Sequence, residues 1–221
     1  MTLVLAFDCA VTGLAVAVTR DEAVLASHRA EGRDQAATLL PAIAATLHQA
    51  GVARRELSLI AVTVGPGSFT GVRVGLAAAR GLAVALGLPL AGITTTATLL
   101  AQADTDDRLA VAAIDTHLGD WFCAIREGDR APFVAATEAL AERIRDRPCR
   151  IVGPQADVLA PKLAGAIAQC ALPDAATIAR LALAQGVEEW RERNRREGLP
   201  RPLYLRGINI TLPDGARRTV E

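Results

Sequence analysis

Two segments of the chain, separated by about half its length, repeat one pattern of apolar and polar positions. In each segment an apolar run ends in an Asp, a short turn containing a Gly follows, and a second apolar run begins. The first copy joins 3–8 to 14–18, and the second joins 110–115 to 121–125. Each copy predicts a β-hairpin of two buried strands, and the repeat itself predicts two duplicated domains.

The residues between and after these hairpins predict helices that alternate with strands. Apolar residues at helical spacing predict a helix from Asp34 to Gly51 with a kink at Pro41. The run 57–64, a glycine-rich turn, a helix at 72–86 and a strand at 90–94 predict a β-α-β unit. The other predicted elements are a helix at 96–103, short helices at 137–145 and 156–170 around a strand at 150–153, and a long helix at 175–196.

A polar run at 104–108 marks the predicted boundary between two domains. We predict an N-terminal domain at 1–103, a C-terminal domain at 108–206 and a loose tail at 207–221. Two linked α/β domains that each open with an Asp-containing hairpin resemble the actin, hexokinase and heat-shock chaperone superfamily. In that superfamily the two hairpins hold phosphates in the cleft between the domains.

The most informative segment is Gly-Pro-Gly-Ser-Phe-Thr-Gly-Val-Arg-Val-Gly at 65–75. Backbone amides at a helix start after a glycine turn favour anions. However, Arg73 is not the Lys that a P-loop uses, and the glycine spacing does not match the dinucleotide-binding pattern. Ser68 is instead predicted to cap the N-terminus of the helix. A dedicated phosphate loop is therefore the less favoured interpretation.

Small residues recur at every fourth position through this turn and its helix, at Gly67, Gly71, Gly75, Ala79, Ala83 and Gly87. They predict a ridge that the backbone of a partner can approach closely. The helix is apolar on all sides, which requires burial on all sides. Its charged residues are Arg73 and Arg80. Two interpretations of these arginines stay open: pairing with an acceptor on a partner chain, and exposure to solvent.

The composition excludes some classes of function. Lys plus Arg and Asp plus Glu each total 24, and a net charge of zero gives no reason to expect nucleic-acid or membrane binding by this chain alone. The N-terminus lacks the pattern of a signal peptide, and no uncharged run has the length of a membrane span. The four cysteines are predicted to be reduced core thiols in the cytosol: Cys9, Cys123, Cys149 and Cys170.

Candidate catalytic residues are few. The chain has three histidines, and no two stand four residues apart as a metal-binding helix would require. Asp8 and Asp115 could hold magnesium or phosphate across a cleft, but carboxylates at strand ends also cap turns. The capping role is the favoured interpretation of both. Ser68 does not lie in the pattern of a nucleophile elbow.

The string at 65–75 and its continuation Gly81-Leu82-Ala83 resemble the TsaB family, also called YeaZ. The resemblance extends to 5–8, to Leu-Leu-Pro at 39–41, to 113–115 with Gly119, and to Pro-Leu-Tyr-Leu-Arg at 202–206. These motifs follow the order of the family over nearly the whole chain. The resemblance implies an α/β fold of two actin-like subdomains (ASKHA superfamily, ribonuclease H-like) that arose from one duplicated unit.

The resemblance also implies a non-catalytic role in forming N6-threonylcarbamoyladenosine at position 37 of tRNAs that read codons beginning with A. It implies a cytoplasmic protein with no link to membranes, which pairs with the catalytic subunit TsaD, meets the ATPase TsaE, forms a homodimer when alone and contacts tRNA only through the complex. No intrinsic cofactor or metal is implied, although ATP or ADP fits the interface of the complex. The implied partner interface is Gly71, Val72, Arg73, Gly75, Leu76, Ala79, Arg80, Leu82 and Ala83; candidate vestigial phosphate-binding residues are Asp8, Thr12 and Asp115.

Two alternative functions remain: an M22-like glycoprotease homologue and a small ATP-binding kinase of the ASKHA type. The chain departs from the family pattern at three places. Asp34-Gln35 replaces a usual His-Ser or His-Thr pair, Thr116-His117 replaces Ala-Arg, and Cys9 replaces a small hydroxylated residue. These departures bear on any nucleotide site in the cleft of this chain and leave the predicted interface unaffected.

Overall fold

The structure is a computed structural model that describes residues 1–32, 34–128, 130–145, 147–206, 208–211 and 217–220. Strands and helices alternate along it. The strands are β1 Leu3–Asp8, β2 Leu14–Arg20, β3 Ala23–Ala30, β4 Leu59–Thr63, β5 Leu90–Ile93, β6 Leu109–Asp115, β7 Trp121–Ile125, β8 Phe133–Ala135, β9 Cys149–Gly153, β10 Ala166–Cys170, β11 Ile208–Thr211 and β12 Arg217–Val220. The α-helices are α1 Gln35–Gln49, α2 Phe69–Leu86, α3 Thr95–Gln102, α4 Thr137–Ile144, α5 Ala156–Leu159, α6 Ala175–Gln185 and α7 Val187–Glu197; short 3-10 turns lie at Arg54–Glu56 and Ala160–Lys162.

Two five-stranded sheets have the same topology. The first has the order β3-β2-β1-β4-β5 and the second the order β8-β7-β6-β9-β10. In each sheet the first three strands in sequence pair antiparallel, and the last two join them in parallel. The repeated strand order confirms the predicted duplicated α/β unit and both predicted hairpins.

Alternate residues of the first sheet face different helices. Leu5, Phe7 and Val16 belong to the core that α1 and α2 cover. Val4 and Ala6 face the opposite side, where Ile178, Ala179 and Trp190 of α6 and α7 pack. The strand period of two thus divides the apolar residues of this sheet between two helical layers.

The two units exchange helices across the predicted boundary. Helix α3, which lies within the predicted N-terminal domain, packs on β6, β7 and β9 of the second sheet. Helix α6, which lies within the predicted C-terminal domain, packs on β1 and β2 of the first sheet. The two helices also touch each other between the sheets. The spatial units therefore differ from the sequence ranges 1–103 and 108–206.

The second half differs from the sequence-based prediction at two elements. Ala166–Cys170 was expected to be helical and is a strand, because it pairs in parallel with β9 at the edge of the sheet. The predicted helix at 175–196 is two helices, broken at Gly186, whose φ of 88° lies outside the helical region. Trp190 then folds back onto the first of them, and its indole nitrogen donates to the carbonyl of Ala182 at 2.8 Å.

Other differences are smaller. Strands β3 and β8 were not predicted, and α1 continues through Pro41. In the tail that was predicted to be loose, β11 and β12 form a separate two-stranded ladder, whereas Gly207, 212–216 and Glu221 lie outside the described residues. By length and composition alone α2 could cross a membrane, but a core helix passes the same test, and one side of α2 is packed on the first sheet.

Candidate functional site

The glycine-rich turn connects β4 to α2 and rests on the turn between β1 and β2. The backbone nitrogen of Ser68 donates to the carbonyl of Ala10 at 2.6 Å. The hydroxyl of Ser68 accepts from the backbone nitrogen of Gly71 at 3.2 Å. This contact confirms the predicted N-cap, which satisfies one of the free amides at the start of the helix.

The ridge of small residues on α2 faces the interior of the chain. A Cβ atom would lie 2.0 Å from the carbonyl oxygen of Ala10 if placed on Gly67, and 1.9 Å from that of Cys9 if placed on Gly71. On Gly75 it would lie 3.5 Å from the side chain of Val62. The glycines therefore seat α2 on its own hairpin and sheet, and the prediction that they admit the backbone of a partner is wrong.

This orientation corrects the predicted interface. Six of its nine residues are buried within the chain: Gly71, Val72, Gly75, Leu76, Ala79 and Ala83. Arg80 and Leu82 are half-buried, and Arg73 is exposed. A partner that binds α2 therefore has to contact the other side of the helix.

The outer side of α2 carries almost no charge. Its exposed residues are Phe69, Thr70, Arg73, Ala77, Gly81, Val84 and Ala85. Val84 is 73% exposed, although it is apolar. Exposed apolar side chains that lie together on a helix indicate a surface that another protein covers.

Helix α1 extends this surface. It contains no Asp, Glu, Lys or Arg, and it packs beside α2 on the same face of the first sheet. Its exposed residues are Ala36, Ala37, Thr38, Leu40, Pro41, Ala44, Ala45, His48 and Gln49. We call the exposed residues of α1 and α2 together the two-helix surface.

Residues 199–206, which we call the C-terminal strap, cross α2 and supply acceptors to both of its arginines. The backbone nitrogen of Leu203 donates to the carbonyl of Val64 at 2.8 Å. Arg80 donates twice to the carbonyl of Pro200, at 3.0 and 2.5 Å. The Nε of Arg73 donates to the hydroxyl of Tyr204 at 2.8 Å. The chain itself thus provides the acceptors that were expected from a partner or from solvent.

The strap also reaches the second unit. Arg206 forms an ion pair with Asp120, which lies in the turn between β6 and β7. The hydroxyl of Thr116 in the same turn donates to the carboxylate of Asp120. The strap therefore links α2 to the second hairpin.

A cleft of about 670 Å³ lies between the two hairpin turns. Thr12 and Asp115, two of the three predicted phosphate-binding residues, line it. Gln35 also lines the cleft, and its side-chain nitrogen donates to the carbonyl of Gly13 at 3.3 Å. This residue belongs to the Asp34-Gln35 pair that departs from the family pattern.

The third predicted residue, Asp8, is not among the described residues that line this cleft and is only 2% exposed. Its Oδ1 accepts from the backbone nitrogen of Ala10 at 3.0 Å and from the hydroxyl of Thr63 at 2.5 Å. Burial raises the pKa of the Asp8 carboxyl. Asp115 likewise accepts from the backbone nitrogen of His117 at 2.7 Å. The hydrogen bonds confirm that both carboxylates cap turns.

The charged groups that line the cleft are the Asp115 carboxylate and, when it is protonated, the imidazole of His117. The described residues that line it include no Lys or Arg, and Asp115 contributes a carboxylate. Phosphate groups require cationic side chains or several converging amides. Among the described residues, no group of three or more His, Cys, Asp or Glu is placed to hold a metal ion.

The cysteines do not form a reactive site at the cleft. Burial raises the pKa of the Cys9 and Cys123 thiols to about 12 and also raises the pKa of the Cys149 thiol. All three are buried free thiols, as predicted, whereas Cys170 is exposed on the edge strand β10. Thiols with raised pKa values are poor nucleophiles.

Comparison with known proteins identifies the family. Residues 29–151 match the model of the family described as TsaD: tRNA N6-adenosine threonylcarbamoyltransferase. The chain is 31% identical over 152 residues to the tRNA threonylcarbamoyladenosine biosynthesis protein TsaB of Escherichia coli, and 30% identical over 123 residues to that of Bacillus subtilis. The solved structure of YeaZ from Pseudomonas aeruginosa superposes with a TM-score of 0.71 at 26% identity, covering 93% of this chain and 100% of that one. The chain belongs to the TsaB/YeaZ family.

The alignments with the curated relatives cover only part of each chain. The alignment with the E. coli TsaB covers 64% of this chain and 66% of the relative, and that with the B. subtilis TsaB covers 55% and 54%. The chain thus spans about two thirds or less of the curated relatives that it matches. A segment of 61 residues is also 46% identical to a tRNA N6-adenosine threonylcarbamoyltransferase of Erythrobacter litoralis. This chain is therefore similar in sequence to both TsaB-type and transferase-type chains.

Proposed function

We propose that this TsaB-family chain is a non-catalytic subunit that pairs with a TsaD-type catalytic chain. Together they form N6-threonylcarbamoyladenosine at position 37 of tRNAs that read codons beginning with A. The observation that carries the proposal is the two-helix surface, because it is broad, exposed and almost uncharged in a chain of balanced charge. Such a surface is suited to burial against another protein.

The similarity to transferase-type chains supports the identity of the partner. The family model matches residues 29–151, which include α1 and α2, so we expect a TsaD-type chain to carry equivalent helices. Two related helix pairs can then pack about a pseudo-twofold axis, each against its counterpart. The same arrangement accounts for a homodimer when the catalytic chain is absent.

The cleft supports the non-catalytic part of the proposal. Its described lining has no Lys or Arg, and Asp8 is buried in a capping role rather than open to a ligand. We place ATP or ADP, and a TsaE-type ATPase, at the assembled complex and not in this cleft. In the proposal tRNA contacts the complex rather than this chain alone, and the complex works in the cytoplasm.

The test is reconstitution with the TsaD homologue of the same host. We expect the two chains to co-purify, and we expect threonylcarbamoylation of tRNA to require both chains together with the enzyme that supplies the threonylcarbamoyl group. The TsaD homologue alone is the matched control. Full modification without this chain, or no co-purification, would contradict the proposal.

The two alternative functions have direct tests of their own. Calorimetry of the isolated chain with magnesium-ATP should show no binding heat, because the described lining of the cleft offers the phosphates no Lys or Arg. Tight binding there would favour the kinase alternative. Hydrolysis of peptides by the purified chain with added zinc would favour the glycoprotease alternative.

A further inference from the structure

Arg73 is held in place by two aromatic side chains. Its guanidinium carbon lies 3.6 Å from the centre of the Phe69 ring. Its Nε donates to the hydroxyl of Tyr204, and the Phe69 and Tyr204 rings are 5.8 Å apart at an interplanar angle of 31°. We call Phe69, Arg73 and Tyr204 the Arg73 clamp. The stacking of the cation on a ring face, together with a hydrogen bond donated by Nε, fixes the guanidinium plane.

The clamp occupies only one edge of the guanidinium. A guanidinium has five N–H donors, and the bond to Tyr204 uses one of them. Within the part of the chain that the structure describes, no carboxylate lies within ion-pair distance of Arg73. Arg80, by contrast, donates from both Nε and Nη2 to the strap. The two arginines of α2 therefore have different roles, although both were predicted to lie in the partner interface.

The surroundings of the clamp favour an anionic partner group. Helices α1 and α2 carry no acidic residue, and the strap carries none either. Phe69 and Tyr204 are 44% and 40% exposed, so a docked protein can bury more of both rings. Burial would remove water from the free Nη edge, where a charge-assisted pair with a planar anion is strongest.

We propose that the Arg73 clamp presents the guanidinium to an Asp or Glu carboxylate of the TsaD-type chain that docks on the two-helix surface. In this assignment Tyr204 and Phe69 are positioning residues, and the C-terminal strap is part of the partner-binding surface. A clustered Arg and two aromatic residues have the composition of a binding hot spot. The proposal rests on the proposed function, since it assumes the same partner on the same surface.

The test measures the affinity of the full chain for the TsaD homologue of its host. Arg73→Lys keeps the charge but loses the planar fork, and we expect it to weaken binding at least about tenfold, or about 1.4 kcal/mol. Tyr204→Phe keeps the ring and loses the hydroxyl, and we expect a loss of about threefold to tenfold. Because Tyr204 acts through Arg73, the double variant should bind no more weakly than Arg73→Lys alone. Arg195→Lys, an exposed change on α7, is the matched control.

A further variant separates this inference from the proposed function. Ala77→Arg places a bulky charge in the middle of the outer side of α2, next to the clamp along the helix. If Ala77→Arg prevents binding while Arg73→Lys and Tyr204→Phe bind as the wild type does, the clamp proposal is wrong and the proposed surface stands. If Ala77→Arg also binds normally, the proposed surface itself is wrong. Thermal melts establish that each variant is folded, and Arg73→Gln replaces Arg73→Lys if the latter is not.

Discussion

The two sides of α2 look alike in the sequence and have opposite surroundings in the structure. The inner side carries Gly71 and Gly75, and the outer side carries Ala77 and Gly81. A Cβ on Gly71 would overlap the carbonyl of Cys9, whereas a Cβ on Gly81 would meet nothing within 4 Å. The glycines on the inner side thus allow α2 to pack closely against its own chain. The side that a partner can contact is the outer side, because its residues remain exposed.

The first test substitutes one glycine on the inner side of α2 and one on its outer side. We expect Gly71→Ala to destabilise the protein by about 3 kcal/mol, because the new methyl group has to displace backbone in the turn between β1 and β2. Gly81→Ala should instead stabilise the protein by up to about 1 kcal/mol through helix propensity. Urea unfolding of both variants measures the difference. Equal effects would mean that the inner side is not tightly seated.

The second test examines the outer side. Val84→Arg should leave the free energy of unfolding within about 0.5 kcal/mol of the wild type, because the residue is largely exposed. It should nevertheless weaken binding to the TsaD homologue by about 100-fold, or about 2.7 kcal/mol, because the charge would be buried in an apolar contact. Val158→Arg, at an exposed apolar position on α5, is the control for binding. Normal binding by Val84→Arg would remove the C-terminal half of α2 from the interface.

The third test concerns Arg80, which lies between the two sides. Arg80→Met retains most of the side-chain volume but loses both bonds to the carbonyl of Pro200. We expect a loss of about 1 kcal/mol in stability and faster proteolysis of the strap. Arg201→Met changes an exposed residue in the same strap and should have a smaller effect. If the two variants behave alike, the bonds from Arg80 do not hold the strap.

The hairpins, the β-α-β unit and the N-cap at Ser68 could be predicted because local patterns determine them. Apolar strands end at Asp8 and Asp115, and each carboxylate caps the turn that follows. The edge strand Ala166–Cys170 could not be predicted, because its alanine-rich sequence fits a helix and pairing with β9 decides the outcome.

For a related reason, the sequence could not predict which sheets α3 and α6 cover, or which side of α2 faces the interior. A polar run such as 104–108 shows where the chain is exposed, but not which sheet the neighbouring helices cover. A four-residue period likewise shows that small residues share one side of α2, but not whether that side faces Cys9 or a partner. Tyr204 lies in a motif that was noted in the sequence, yet its contact with Arg73 joins residues 131 positions apart.

The smallest expected effect tests the turn on which the inner side of α2 rests. Because the folded pKa of Asp8 is raised, the native state binds more protons than the unfolded state above the ordinary carboxyl pKa of about 3.9. The contribution of Asp8 to stability therefore falls as pH rises from that value through the folded pKa.

Asp8→Asn keeps an oxygen that can accept from Ala10 and Thr63, so its stability relative to the wild type should increase with pH across this window. Thr63→Val removes a donor to the ionised carboxylate and should make the fall with pH steeper. Urea unfolding over a pH series measures how the free energy of unfolding of each variant changes with pH. If this pH dependence is the same in Asp8→Asn as in the wild type, ionisation of Asp8 does not affect the stability of the turn on which Gly71 rests.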